Sequence, residues 1–164
     1  MKMPDICLSP IGVIHSPHTK LHETPIQPIF ARGVKGTVIL DPEFTEGLKG
    51  LERFSHIYLF FCFHKSEGFS LSLKPFLQDK MQGVFATRAP RRPNPLGFSV
   101  VKLLEIKGNI LHIEDVDILD STPLLDIKPY VDRFDRRDNV SSGWQEEVDD
   151  DEAHILGKRA FKGK

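Results

Sequence analysis

Proline placement limits this chain more than any other feature. Twelve prolines are spread through 164 residues, and they gather in stretches that a helix interior or a sheet interior would reject. Ser16 to Phe30 carries Pro17, Pro25 and Pro28 and reads as an extended loop of functional length. Pro90, Pro93 and Pro95 stiffen a second loop, and Pro123 and Pro129 make Ile118 to Tyr130 a loop with extended pieces. Between these lie short runs rich in β-formers: Ile11–Ile14, Gly36–Leu40, Val84–Thr87, and Phe98–Ile106 with Ile110–Val116 around a Lys107-Gly108-Asn109 hairpin signal. His56 to His64 is apolar on both faces and reads as a central strand. Asp41-Pro42 supplies an N-cap and an N1 proline, and Phe44, Leu48 and Leu51 share one face of a short helix. Short strands with one clear helix predict a mostly β domain, with a closed barrel as its architecture.

Composition bounds the function. Hydrophobic residues at 40% and charged residues at 27% are those of a folded domain. The longest apolar run, Ile57 to Phe63, is too short to span a bilayer, and no signal-like stretch opens the chain, so a cytoplasmic protein without a membrane partner is expected. Cys7 and Cys62 form no CxxC pair. The acidic run 146–152 and the basic residues after it belong to 145–164, expected to be a flexible charged tail behind a domain spanning 1–144. That domain carries 18 basic against 17 acidic residues, so nucleic-acid binding would need a local patch.

Two clusters supply the candidate chemistry. In Thr87-Arg-Ala-Pro-Arg-Arg-Pro-Asn-Pro-Leu-Gly-Phe-Ser99, three guanidinium groups (Arg88, Arg91, Arg92) sit on a proline-stiffened backbone, suited to phosphate or carboxylate. In Asp117 to Tyr130, Asp117, Asp120 and Asp126 alternate with aliphatic residues, and Lys128 follows Asp126. These carboxylates could hold a hydroxyl, an amine or a catalytic proton, or could equally be turn caps and ion-pair members. His15, His18 and His22 lack further ligands at zinc spacing, so no metal is expected. His64 closes an apolar strand at a site rim or on plain surface. Trp144 and Tyr130 either stack on a base or seal the core. No GxG, P-loop, GxSxG or HExxH occurs, which argues against a Rossmann cofactor fold.

The two clusters in this order, with Pro10-Ile-Gly-Val-Ile14, Leu51-Glu-Arg-Phe-Ser-His56 and Gly143-Trp144, resemble the TsaA-like (TrmO) family over about residues 10–145. The resemblance implies a single-sheet closed β-barrel with a few short helices, a homodimer, and S-adenosyl-L-methionine as cofactor. It implies methylation of the exocyclic amino nitrogen of threonylcarbamoyl-adenosine, 3′ of the tRNA anticodon. Matched onto this chain, the cofactor residues are Pro25, Ile26, Gln27, His64, Lys65, Arg88, Leu96, Gly97, Phe98, Asp120, Ser121, Thr122, Pro123 and Leu124. Asp126 and Asp120 are the candidate proton acceptors. Arg91, Arg92, Lys128 and Tyr130 are the candidate contacts to the anticodon loop. The chain departs from the family pattern at Ile26 (usually Arg), Ser121 (usually Gly), Ala89 (Ser) and Arg91 (Phe), and bacterial members carry a further C-terminal domain. The alternatives are a non-catalytic S-adenosylmethionine- or RNA-binding module and a methyltransferase with a different acceptor.

Overall fold

Strand β3 (His56–Cys62) shows how the fold is built, because its burial alternates residue by residue. Ile57, Leu59 and Phe61 are buried, while His56, Tyr58, Phe60 and Cys62 lie half-exposed on the other face. The computed structural model describes residues 4–157, the side chain of Glu152 excepted. β3 lies in a closed barrel with β1 (Gly12–His15), β2 (Lys35–Leu40), β6 (Leu96–Lys107), β7 (Ile110–Glu114) and β8 (Thr122–Pro129). The order round the barrel is β1-β2-β7-β6-β3-β8, and every pairing is antiparallel. Closure leaves no barrel strand with an unpaired edge. Two-residue strands β4 (Ser72–Leu73) and β5 (Gln82–Gly83) form a separate ribbon.

The barrel is filled by branched side chains. Ile14, Val38, Ile57, Leu59, Val101, Leu111, Ile113 and Leu124 come from its strands, and Leu48, Val116 and Ile118 close it. Among the described residues no helix is long and apolar enough to cross a membrane.

Closure depends on β8, where a loop was expected. Its two prolines are tolerated because their donor-less side faces away from the ladder each would otherwise break. The Leu124 carbonyl accepts from Ile11 N at 2.8 Å, so Leu124 points its polar groups at β1 and Pro123 points toward β3, whose pairing begins only at Leu124. Tyr130 N donates to His56 O, so Pro129 faces the side on which β1 no longer pairs.

Three further expectations change. Val84–Ala86 is a 3-10 turn instead of a strand, because Thr87 N and its hydroxyl both donate to the Val84 carbonyl. The expected single helix is two 3-10 segments, Pro42–Leu48 and Leu51–Arg53, separated by Gly50 at φ +89°. Asp41 caps the first through its carbonyl, which accepts from Phe44 N, and not through its side chain. Residues 145–157, expected in a flexible tail, fold. A 3-10 segment, Gly143–Glu147, leads into helix α2 (Asp150–Leu156); a shorter α1 spans Asp132–Asp135. Gly157 lies on the Phe30 ring, Ala153 is buried, and Ile26 N donates to Gly157 O at 2.8 Å. The basic end of that tail lies outside the described residues.

Candidate functional site

The barrel register decides which candidates share a rim. Ile14 pairs with Thr122, Phe61 with Leu124, and Cys62 with Leu96. The last residue of β1, the start of β8, the end of β3 and the start of β6 therefore emerge at one end of the barrel. The loops carrying Pro25–Gln27, His64–Lys65, Arg88–Arg92 and Asp120–Ser121 open from it.

Asp120 is the best-anchored polar group on this rim. Its Oδ1 accepts from Ser16 N at 3.1 Å and meets His15 Nδ1 at 3.1 Å, while Oδ2 accepts from the Ser121 hydroxyl at 2.9 Å. Burial disfavours its charge, but the hydrogen bonds from Ser16, Ser121 and His15 outweigh it and hold the carboxyl below its ordinary value. The turn is fastened further by Ser16 Oγ donating to Ile118 O and Asp120 N donating to His18 O. Ser121 takes φ +60°, the left-handed conformation that glycine adopts more easily.

Across the rim, the Arg88 guanidinium lies 4.9 Å over the Phe98 ring and donates to Gln27 Oε1 at 2.6 Å. His64 follows a tight turn in which its N–H donates to Cys62 O. Burial and the neighbouring Lys65 charge hold its imidazole below the ordinary histidine value, so it is neutral at pH 7. Leu96 and Phe98 leave 46% and 41% of their surface exposed beside it. The other matched residues contribute through the backbone or through packing. Thr122 and Leu124 are buried in the barrel, Pro25 is buried in the first loop, and Gly97 is pressed against the Phe61 ring.

Asp126 does not join Asp120. The register shifts between Phe60 and Phe61 insert Leu125 as a bulge, and this turns Asp126 out of the barrel opposite Phe60. There it pairs with Lys128 at 2.6 Å. On the same outer face Tyr130, Tyr58, Phe60 and Phe98 form a ladder of rings spaced 5.9–6.4 Å. Arg92 is tied to the Thr87 carbonyl at 3.1 Å, whereas Arg91 is exposed. Among the described residues no three His, Cys, Asp or Glu side chains are arranged for a metal.

Beside Arg88 opens a cleft of about 950 Å³ lined by Gln27, Phe30, Phe85, Arg88, Trp144 and His154, among others. Trp144 is fixed there by Nε1–H donating to Ala86 O at 2.8 Å, which separates it from the Tyr130 ladder. Sequence spacing identifies Asp120 but neither His15 and Ser16 as its partners, which lie 105 and 104 residues away, nor Phe85.

Residues 13–136 match the family model described as the tRNA-methyltransferase O N-terminal domain. The chain is 57% identical over 159 residues to a Pyrococcus abyssi protein named "Probable S-adenosyl-L-methionine-binding protein", covering 97% of this chain and 84% of that one. It is 34% identical to the human tRNA (adenine(37)-N6)-methyltransferase, covering 83% of this chain and 32% of that protein. A crystal structure of TrmO from Pseudomonas aeruginosa superposes with a TM-score of 0.72 at 39% identity, over 85% of this chain and 62% of that one. The chain thus spans most of the archaeal relative but less than two thirds of the bacterial structure and about a third of the human enzyme. With three quarters of its residues inside the matched model and the same closed barrel, the chain belongs to the tRNA-methyltransferase O N-terminal domain family.

Proposed function

We propose that this chain is an S-adenosylmethionine-dependent methyltransferase acting on the exocyclic nitrogen of adenine 37 in tRNA, with threonylcarbamoyl-adenosine as the acceptor. One observation carries the reading. Asp120, kept ionised, Arg88, oriented over Phe98, and His64, kept neutral, share one rim of the barrel in a chain of this family. These groups suit the cofactor's chemistry. A carboxylate takes a ribose hydroxyl or an ammonium, a guanidinium takes a carboxylate, and an uncharged imidazole tolerates a sulfonium beside it. When bound, S-adenosylmethionine supplies a methyl group already activated by its positive sulfur.

What remains for the chain is positioning and one proton. An adenine amino group is a weak nucleophile, so holding it at the right distance and angle supplies most of the catalysis. Asp120 lies with the cofactor candidates and is the proton acceptor of this proposal; Asp126 faces outward and is not. Arg91 is exposed and is the candidate cation for anticodon-loop phosphates, whereas Lys128 is held by Asp126. The ring ladder of Tyr58, Phe60, Phe98 and Tyr130 suits a second copy of the chain. Its Asp126–Lys128 pair is self-complementary about a two-fold axis, and a half-exposed aromatic face next to the rim is costly in a monomer.

The test is transfer of labelled methyl to two tRNA pools, one bearing threonylcarbamoyl-adenosine and one lacking it. Incorporation into the modified pool alone is expected. Incorporation into both pools would replace the acceptor, and cofactor binding without incorporation into either would leave a binding module or a methyltransferase with a different acceptor.

A further inference from the structure

The cleft beside Arg88 carries apolar surface that the described residues leave uncovered. Phe85 is 77% exposed and Ile29 49% exposed, and both line it. Their neighbour Trp144 is held rigidly by its bond to the Ala86 carbonyl, one residue from Phe85. A hydrogen-bonded indole and an exposed phenyl are thus both tied to one short turn, the phenyl three residues before Arg88 and the carbonyl that anchors the indole two residues before it, at the edge of the cofactor rim. A flat, π-bearing ligand gains most from such a pair, because stacking on side chains already in place costs little ordering.

The polar lining narrows the class. Gln27 and Arg88 stand at the rim end, and Asp150 and His154 at the α2 end. The nearby carboxylates of Glu146 and Glu147 are engaged elsewhere. Glu146 accepts from Ser142 N and Ser141 Oγ, and Glu147 pairs with Lys80 and accepts from Gln78. Among the described residues Asp150 is the carboxylate that lines the cleft, and a carboxylate there favours a base whose edge donates a hydrogen bond, as the adenine amino group does.

We propose that the cleft between Phe85 and Trp144 seats an unstacked adenine of the RNA anticodon loop, with Phe85 and Trp144 as its stacking residues. This rests on the tRNA methyltransferase reading above and assigns it an acceptor-side pocket. It gives the C-terminal segment 143–157 a function, since that segment supplies one wall.

The experiment uses the full chain and an anticodon stem–loop RNA with adenine at position 37, and reads the fluorescence of Trp144, the single tryptophan of the sequence, which falls when a base stacks on it. Quenching is expected when the stem–loop binds the wild type. Phe85→Ala is expected to abolish quenching and to weaken stem–loop affinity on the order of tenfold to a hundredfold, with cofactor affinity unchanged. Phe85→Tyr, which keeps the ring, restores both. Because Phe85 is largely exposed, its replacement leaves the melting temperature unchanged and the comparison interpretable. Wild-type quenching and affinity in Phe85→Ala would overturn the pocket while leaving the methyltransferase reading intact. A wild-type protein that neither binds nor methylates tRNA would overturn both.

Discussion

Gly97 separates packing from ligand binding at the cofactor rim. The family resemblance makes it a cofactor residue, whereas the structure sets it in β6 directly opposite Phe61. A Cβ at position 97 would stand 2.6 Å from Cζ and 2.9 Å from Cδ2 of that ring. Carbon atoms in contact prefer about 3.5–4.0 Å, so the ring would have to retreat by roughly 1 Å. Phe61 is 2% exposed and meets the Phe63 ring edge-on at 5.3 Å, so it has little room to do so. Overpacking of this kind costs about 1–3 kcal/mol. The loss of glycine's unfolded-state freedom offsets about 0.4–1 kcal/mol. Gly97→Ala is therefore expected to lose about 1–2 kcal/mol, which in a chain of this size lowers Tm by about 2–8 °C. Thermal and urea unfolding measure it, and Phe61→Leu completes a double-mutant cycle. In the Phe61→Leu background the added methyl should cost about 1 kcal/mol less. An unchanged Tm, or equal costs in both backgrounds, would refute the packing account. Full stability with lost cofactor affinity would return Gly97 to the ligand.

Other perturbations test the rim group by group. Asp120 has a depressed folded-state value, so its contribution is present above the unfolded carboxylate value of about 3.9 and is lost as pH falls through the folded value. The stability gap between wild type and Asp120→Asn should thus be widest near neutrality and close at low pH; a gap independent of pH refutes it. His64 works in the opposite sense. Because its folded-state value is lowered, protonation favours the unfolded chain, and wild type should lose stability relative to His64→Gln as pH drops below about 6.5. Parallel stability profiles from about pH 8 to about pH 5 would count against a half-buried imidazole kept neutral. At the left-handed position 121, Ser121→Gly should be more stable than Ser121→Ala by about 1 kcal/mol, since both lose the bond to Asp120 and only glycine relieves the backbone. Equal unfolding midpoints would show no strain there. Arg88→Ala should weaken cofactor affinity more than Arg92→Ala, whose guanidinium is tied to the Thr87 carbonyl; calorimetric titration giving identical losses would undo that division.

What the sequence displays is local. The strand over His56–Cys62, the Gly108 hairpin and the opening strand are legible because β-former content and turn chemistry act over a few residues, although the inward alternation of Ile57, Leu59 and Phe61 in a run apolar on both faces is not. The barrel's closing strand is hidden, because two prolines disqualify β8 until its register shows that neither points into the ladder it forms. The same limit governs the site. Asp120 stands out in its own segment, but two of the three groups that hold it ionised, Ser16 and His15, come from the end of β1, more than a hundred residues earlier. Asp126 looks equivalent to it by spacing, and a single bulged residue sends it to the opposite side of the wall. The acidic tail misleads for a related reason. Its charges suggest a solvated segment, while the residues that dock it, Ala153 and Gly157, are small and carry no signal of their own. The missing side chain of Gly157 is what admits the Phe30 ring, since a Cβ there would stand 2.7 Å from Phe30 Cδ1. In a barrel whose strands follow the order β1-β2-β7-β6-β3-β8, chemistry is written in segments and assembled by pairings between distant ones. A motif therefore identifies the rim's reagents, and the register decides which of them meet.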